Sequence, residues 1–134
     1  MPTKGVRLNN PGNIEQGQKW QGLSDVQADP RFCSFTDAEY GIRALCKILL
    51  TYQDKYKLST IEGMITRWAP AHENPTAAYI SNVAKWSGFG AKVSIDLHNR
   101  ETLAKVAKAI IRQENGVQPY SDDTIEHGVD LALH

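Results

Sequence analysis

Cysteine is scarce in this chain: Cys33 and Cys46 are the only two in 134 residues, and they do not form a Cys-x-x-Cys spacing. That excludes a zinc knuckle, a dithiol redox motif and a disulfide-stapled miniature fold, leaving two ordinary, partly buried thiols. Histidine is as thin. His72, His98, His127 and His134 are scattered singly, no helix carries a zinc-ligand pair, and neither a metal nor another cofactor is expected. Long apolar runs are missing too. Nothing approaches the ~20 residues that a bilayer-spanning helix needs, so no membrane insertion is expected. The opening Met1-Pro2-Thr3-Lys4-Gly5 lacks the apolar stretch of a secretory signal, and synthesis in a cytoplasm follows as the expectation.

Charge of one sign is not in excess either. Lys plus Arg and Asp plus Glu are both 15, giving a formal net charge of zero. With balanced charge and no basic stripe expected on any helix, nucleic acid is not an expected partner. No repeat or low-complexity tract breaks the chain, so residues 1–134 read as one domain, of a size that buries about two thirds of its unfolded surface.

What is present is mostly helical patterning. Residues 5–35 are rich in Gly, Asn, Pro, Gln and Asp around isolated apolar anchors such as Leu8, Ile14, Trp20 and Phe35, which predicts an irregular or β-hairpin lobe. Thr36-Asp37-Ala38-Glu39 has the form of a capping box, followed by a buried face of Ile42, Leu45, Leu49, Tyr52 and Tyr56. Ser59-Thr60-Ile61-Glu62 is a second box, opening a short helix with Ile61, Met64, Ile65 and Trp68 that must end near Pro70. Asn74-Pro75 starts a third helix, carrying Ala78, Tyr79 and Val83 to Gly88. After a connection to His98, Asn99 caps a long helix through Glu114, Gly116 stops it, and Ser121-Asp122-Asp123 begins a last short helix. The fold class is mainly α, about six helices with a small N-terminal lobe.

Leu103, Ala107, Ile110 and Glu114 follow three- and four-residue spacing, so Glu114 stands where the next core residue of the stripe is due. A carboxyl there is expected to be partly desolvated beside the negative end of the helix dipole, conditions that favour the protonated state of a general acid. The plain alternative is a solvated helix-end carboxylate. Tyr79 reads as a core aromatic or a cleft residue, and Glu73 as a dipole-favoured helix-start carboxylate or a ligand group. Asn9, Asn10 and Asn13 suit a turn and equally suit a polar glycan lining, with Trp20 offering a flat face to a sugar ring.

The string Ile110-Ile111-Arg112-Gln113-Glu114-Asn115-Gly116-Val117-Gln118-Pro119 resembles the catalytic-helix signature of soluble lytic transglycosylases and goose-type lysozymes, Ile-Ile-x-x-Glu-Ser-Gly-Phe-x-Pro. The resemblance implies that Glu114 is the catalytic acid and base. The stretch from Trp68 to Val83 resembles the family's later motif, whose tyrosine lines the sugar cleft, and this implies substrate-binding roles for Tyr79 and Glu73. In the family that motif follows the catalytic helix, whereas here it precedes it, which implies a circularly permuted lysozyme-like domain with neighbouring ends. Arg7 to Ile14, Trp20-Gln21-Gly22 and Gly41 to Leu45 resemble phage and prophage virion or lysozyme-like proteins. The departures are Asn115 in place of serine and only a faint Gly-Leu-Met-Gln echo in Gly128-Val129-Asp130-Leu131.

The implied activity is cleavage of the β-1,4 bond between N-acetylmuramic acid and N-acetylglucosamine, by a lytic transglycosylase or lysozyme made in the bacterial cytoplasm. It would act at the periplasmic wall or travel in a phage particle, with peptidoglycan strands and other virion proteins as partners. A transglycosylase needs one carboxylate; a hydrolase needs a second, about 5 Å away as nucleophile or about 6.5–9.5 Å away as base. Asp25, Asp29, Glu15 and Glu39 are open choices for it. The competing expectation is a non-catalytic structural or wall-binding phage protein. On the catalytic reading, Glu114 should face Tyr79 and the Asn9–Asn13 turn, and a Glu114 pointing to open solvent away from both would end that reading.

Overall fold

A computed structural model describes residues 2–72 and 74–134. Its elements are α1 (Lys4–Arg7), α2 (Ala38–Tyr56), α3 (Ile61–Trp68), α4 (Thr76–Ser87), α5 (Arg100–Asn115) and α6 (Asp122–Leu133). The mainly helical expectation stands, and α2, α3, α4 and α5 begin within two residues of their predicted starts. The caps differ in detail. Thr60 rather than Ser59 caps α3, accepting from the Gly63 amide, because it is the residue whose extended backbone immediately precedes the first helical turn. Asp37 stands at the cap of α2 without a capping bond, and the Thr36 hydroxyl donates to its carboxylate. Pro75 stands at the cap of α4, one residue later than Asn74.

The core forms around α5. Leu103, Val106, Ala107, Ile110 and Ile111 have no exposed surface, and they meet Ile42, Leu45 and Leu49 of α2, Met64 and Ile65 of α3, Val83 of α4 and Ile125 and Val129 of α6. Cys33 and Cys46 are both free and buried, so the expected partial exposure is lost to packing. The α2–α6 contact is close because Gly128 has no side chain. A Cβ there would stand 2.6 Å from Cγ2 of Ile42. Gly116, left-handed at φ 78, ends α5 as its sequence position indicated.

The N-terminal lobe is irregular, not a hairpin. Its only β pairings among the described residues are the single bridges Glu15–Phe32 and Leu23–Phe35. It also holds one helical turn that its turn-rich composition concealed, α1, capped by Thr3 through the Val6 amide. Described residues near the two ends of the chain are held at opposite ends of α5, which lends no support to the expectation of neighbouring ends. The Thr3 hydroxyl donates to Asn115 at the C-terminal end of α5, whereas Asp130, near the other terminus, pairs with Arg100 at its start. Sixteen residues of helix, roughly 24 Å, separate those anchor points.

Candidate functional site

Glu114 sits in the last turn of α5, half-buried. Its Oε2 accepts from the Tyr79 hydroxyl at 2.7 Å and its Oε1 from Nδ2 of Asn13 at 2.8 Å. The expected meeting of Glu114, Tyr79 and the Asn9–Asn13 turn is therefore present. Each partner has a local reason to be there. The Thr76 hydroxyl donates to the carbonyl of Ala69, so the start of α4 is tied to the end of α3 and Tyr79, one turn on, comes against Trp68. The Trp68 indole N–H then donates to the Tyr79 hydroxyl at 2.9 Å. On the flank, Asn82 donates to Gln113 at 2.9 Å and locks α4 to α5 beside the glutamate.

The turn is built by asparagines. Asn9 and Asn13 take left-handed φ values of 54 and 52, a conformation asparagine tolerates better than other side chains. Asn10 has no exposed surface. Its Nδ2 donates to the carbonyls of Ile14 and Cys33 and its Oδ1 accepts from the Ile14 amide. Asn115 binds the turn to α5, donating to the carbonyls of Pro11 at 3.0 Å and Ile111 at 2.8 Å and accepting from Thr3. Gly5 closes the knot. A Cβ there would stand 2.8 Å from both the Asn10 carbonyl oxygen and the Asn13 Oδ1.

In front of this assembly lies a cleft of ≈ 660 Å³. Its lining combines polar groups, Asn13, Glu15, Arg31, Asn74 and Glu114, with apolar ones, chiefly Phe32, Ile48, Tyr52 and Trp68. Tyr79 is only 3% exposed and acts from behind the wall. Burial, and then the charge of Glu114 and the hydrogen bond to it, push its phenol well above the ordinary value, so Tyr79 keeps its proton and remains a donor.

The remaining sequence candidates separate. Asn9 donates to the carbonyls of Phe35 and Thr36, and Asn10 is enclosed, so both hold the turn and neither lines the cleft. Trp20 packs half-buried against the core, away from the cleft lining. Glu73 lies outside the described residues. Of the four carboxylates considered as a second acid, only Glu15 lines the cleft, and it pairs with Arg31 at 2.5 Å. Asp29 is engaged elsewhere: backbone amides of Phe32 and Arg31, then Lys4, hold its carboxyl down at about 2. Asp25 is exposed, and Glu39 stands at the start of α2 near His127.

Sequence reading passed over Trp68 and Asn115 as site residues. The signal for Trp68 was a donor-only side chain ending the helix before that of Tyr79; for Asn115 it was an amide at a position that helical spacing buries. One charge expectation also changes. Lys105, Lys108 and Arg112 do share a side of α5, but Lys108 pairs with Asp122 at 2.9 Å. Arg112 lies 4.1 Å from the Trp86 ring centre and Lys105 5.9 Å from that of Phe89, so this short stripe is engaged within the domain. Among the described residues, no cluster of His, Cys, Asp and Glu is arranged to hold a metal ion, and no helix is long and apolar enough to cross a membrane.

No protein-family model matches the chain. It is 42% identical over 135 residues to Protein P5 of Pseudoalteromonas phage PM2, a similarity that takes in 98% of this chain and 82% of that protein. At that identity and coverage the chain is phage-related and belongs to the family of this phage protein.

Proposed function

We propose that this protein is a peptidoglycan glycosidase of the lytic transglycosylase type, with Glu114 as its acid and base. The observation that carries the reading is the carboxyl of Glu114 at the edge of a ≈ 660 Å³ cleft, oriented by two side-chain donors from different elements. The amphipathic cleft suits a hexosamine, which has polar edges and apolar faces.

Glu114 gives its proton to the glycosidic oxygen as the C1–O4 bond breaks, leaving an oxocarbenium-like centre. The carboxylate so formed takes the proton of the muramic C6 hydroxyl as O6 bonds to C1, closing the 1,6-anhydro ring and restoring the acid. No water is consumed and no second carboxylate is needed. Among the described residues, Glu15 is the other carboxylate of the cleft lining, and its pairing with Arg31 supports a route in which Glu114 acts alone. The lysozyme-like architecture and its permuted order are not needed for this reading, which rests on the side chains around Glu114.

A second reading follows from the phage relationship: a component carried in a phage particle among other virion proteins that binds the wall without cutting it. Mass spectrometry of digested murein separates the two. Anhydro-muramic ends, abolished by Glu114→Gln, are the expected result. Reducing muramic ends would indicate a lysozyme, and intact murein from the wild type would leave the wall-binding reading standing.

A further inference from the structure

We infer that Trp68 is a positioning residue that fixes the direction of the hydrogen bond between Tyr79 and Glu114, and so points the proton of the acid into the cleft. The argument starts from what an indole can do. Its N–H donates and has no acceptor capacity, so the 2.9 Å contact with the Tyr79 hydroxyl runs one way, from Trp68 to the phenolic oxygen. The phenol then has a single proton to give, and the acceptor at 2.7 Å is Oε2 of Glu114. The reverse arrangement, with Glu114 donating and the phenolic proton turned back, would set that proton against the indole N–H.

The second oxygen is constrained similarly, because Oε1 receives the amide N–H of Asn13. Both protein neighbours therefore deliver hydrogen to the carboxyl. When Glu114 carries a proton, the position left for it is the one facing the cleft, where a glycosidic oxygen would sit. Remove the indole N–H and the phenol is free to turn and accept from Glu114, which draws the acid proton away from the substrate. Trp68 also lines the cleft, so a sugar platform is the competing role.

The catalytic consequence rests on the glycosidase reading; the hydrogen-bond direction does not, and two experiments keep them apart. In the first, proton NMR of the wild type should show a slowly exchanging Tyr79 hydroxyl resonance with an Overhauser contact to the Trp68 indole proton. Trp68→Phe should shift or abolish the hydroxyl resonance. Its absence from the wild type, or an unchanged position in Trp68→Phe, overturns the inference whether or not the protein cuts murein.

The second is a double-mutant cycle on murein oligomers. Trp68→Phe should lower kcat roughly ten-fold with KM little changed, and should have no further effect in a Tyr79→Phe background. A raised KM with unchanged kcat, or an undiminished effect without the Tyr79 hydroxyl, makes Trp68 a sugar platform and refutes the positioning role. Wild-type protein inactive on murein defeats the glycosidase reading alone. If Trp68→Phe does not fold, Tyr79→Phe assigns the hydroxyl resonance by its loss, and absence of the wild-type Overhauser contact between that resonance and the indole proton overturns the inference.

Discussion

Asn10 offers the sharpest test of how the site is held. Truncating it to alanine removes three hydrogen bonds, but their losses are unequal. The Ile14 carbonyl keeps a partner in the Cys33 amide at 2.9 Å, so it is not stranded. The Ile14 amide and the Cys33 carbonyl lose the contacts that Asn10 supplies at 2.9 and 3.0 Å, in a region where Ile14 is 7% and Cys33 1% exposed. Two enclosed backbone groups left unpaired cost roughly 1–3 kcal/mol each, so Asn10→Ala should destabilise the fold by about 4 kcal/mol. That is a large share of the ~5–15 kcal/mol that usually separates folded and unfolded domains. With a urea slope of about 2 kcal/mol per molar, the unfolding midpoint should fall by about 2 M with the slope unchanged. Equilibrium urea titration followed by Trp fluorescence is the assay. A midpoint within about 0.3 M of the wild type would refute the structural role of Asn10.

Gly128→Ala would force a methyl group to within 2.6 Å of Ile42 across the α2–α6 contact, and should cost about 1–3 kcal/mol by the same titration. Asp29 makes the fold acid-sensitive: its carboxyl titrates at about 2 when folded against an ordinary 3.8, so its contribution is complete above about pH 4 and disappears as pH falls from 3.8 toward 2. Thermal melts across that window should show a steeper decline for the wild type than for Asp29→Asn. Burial pushes the Cys46 thiol up to about 12 and raises that of Cys33, so a thiol-reactive dye at pH 8 should label neither until urea unfolds the chain. Rapid labelling of the native protein would contradict the enclosed positions of both sulfurs.

The helices were legible because their information is local. The 3.6-residue periodicity of Ile42, Leu45 and Leu49, the Asn99 and Ser121 caps and the Gly116 stop each act within one or two turns. The N-terminal lobe was not legible, because its order comes from asparagine side chains reaching backbone groups far along the chain, as Asn10 does to Cys33 and Asn9 to Phe35. Periodicity carries no record of such bonds. Glu114 and Tyr79 were readable from their motif strings, yet the alignment between them depends on Trp68 and on the Thr76–Ala69 tie, neither of which has a helical period. The expectation of adjacent chain ends came from motif order alone, and motif order contains no distance.

The division of labour among the asparagines bears on how any activity here should be interpreted. Asn9, Asn10, Asn13 and Asn115 share one chemistry, but only the Asn13 amide is aimed at the cleft carboxyl, while Asn10 and Asn115 are buried and spent on backbone groups and, for Asn115, the Thr3 hydroxyl. A turn held this way is organised before any ligand arrives, so the donor to Glu114 costs little reordering on binding. It follows that loss of activity in Asn10 or Asn115 variants should track loss of folded protein, whereas loss in Asn13 variants should persist at full folding. Sorting the variants by stability before comparing their rates separates the residues that hold the acid from the one that touches it.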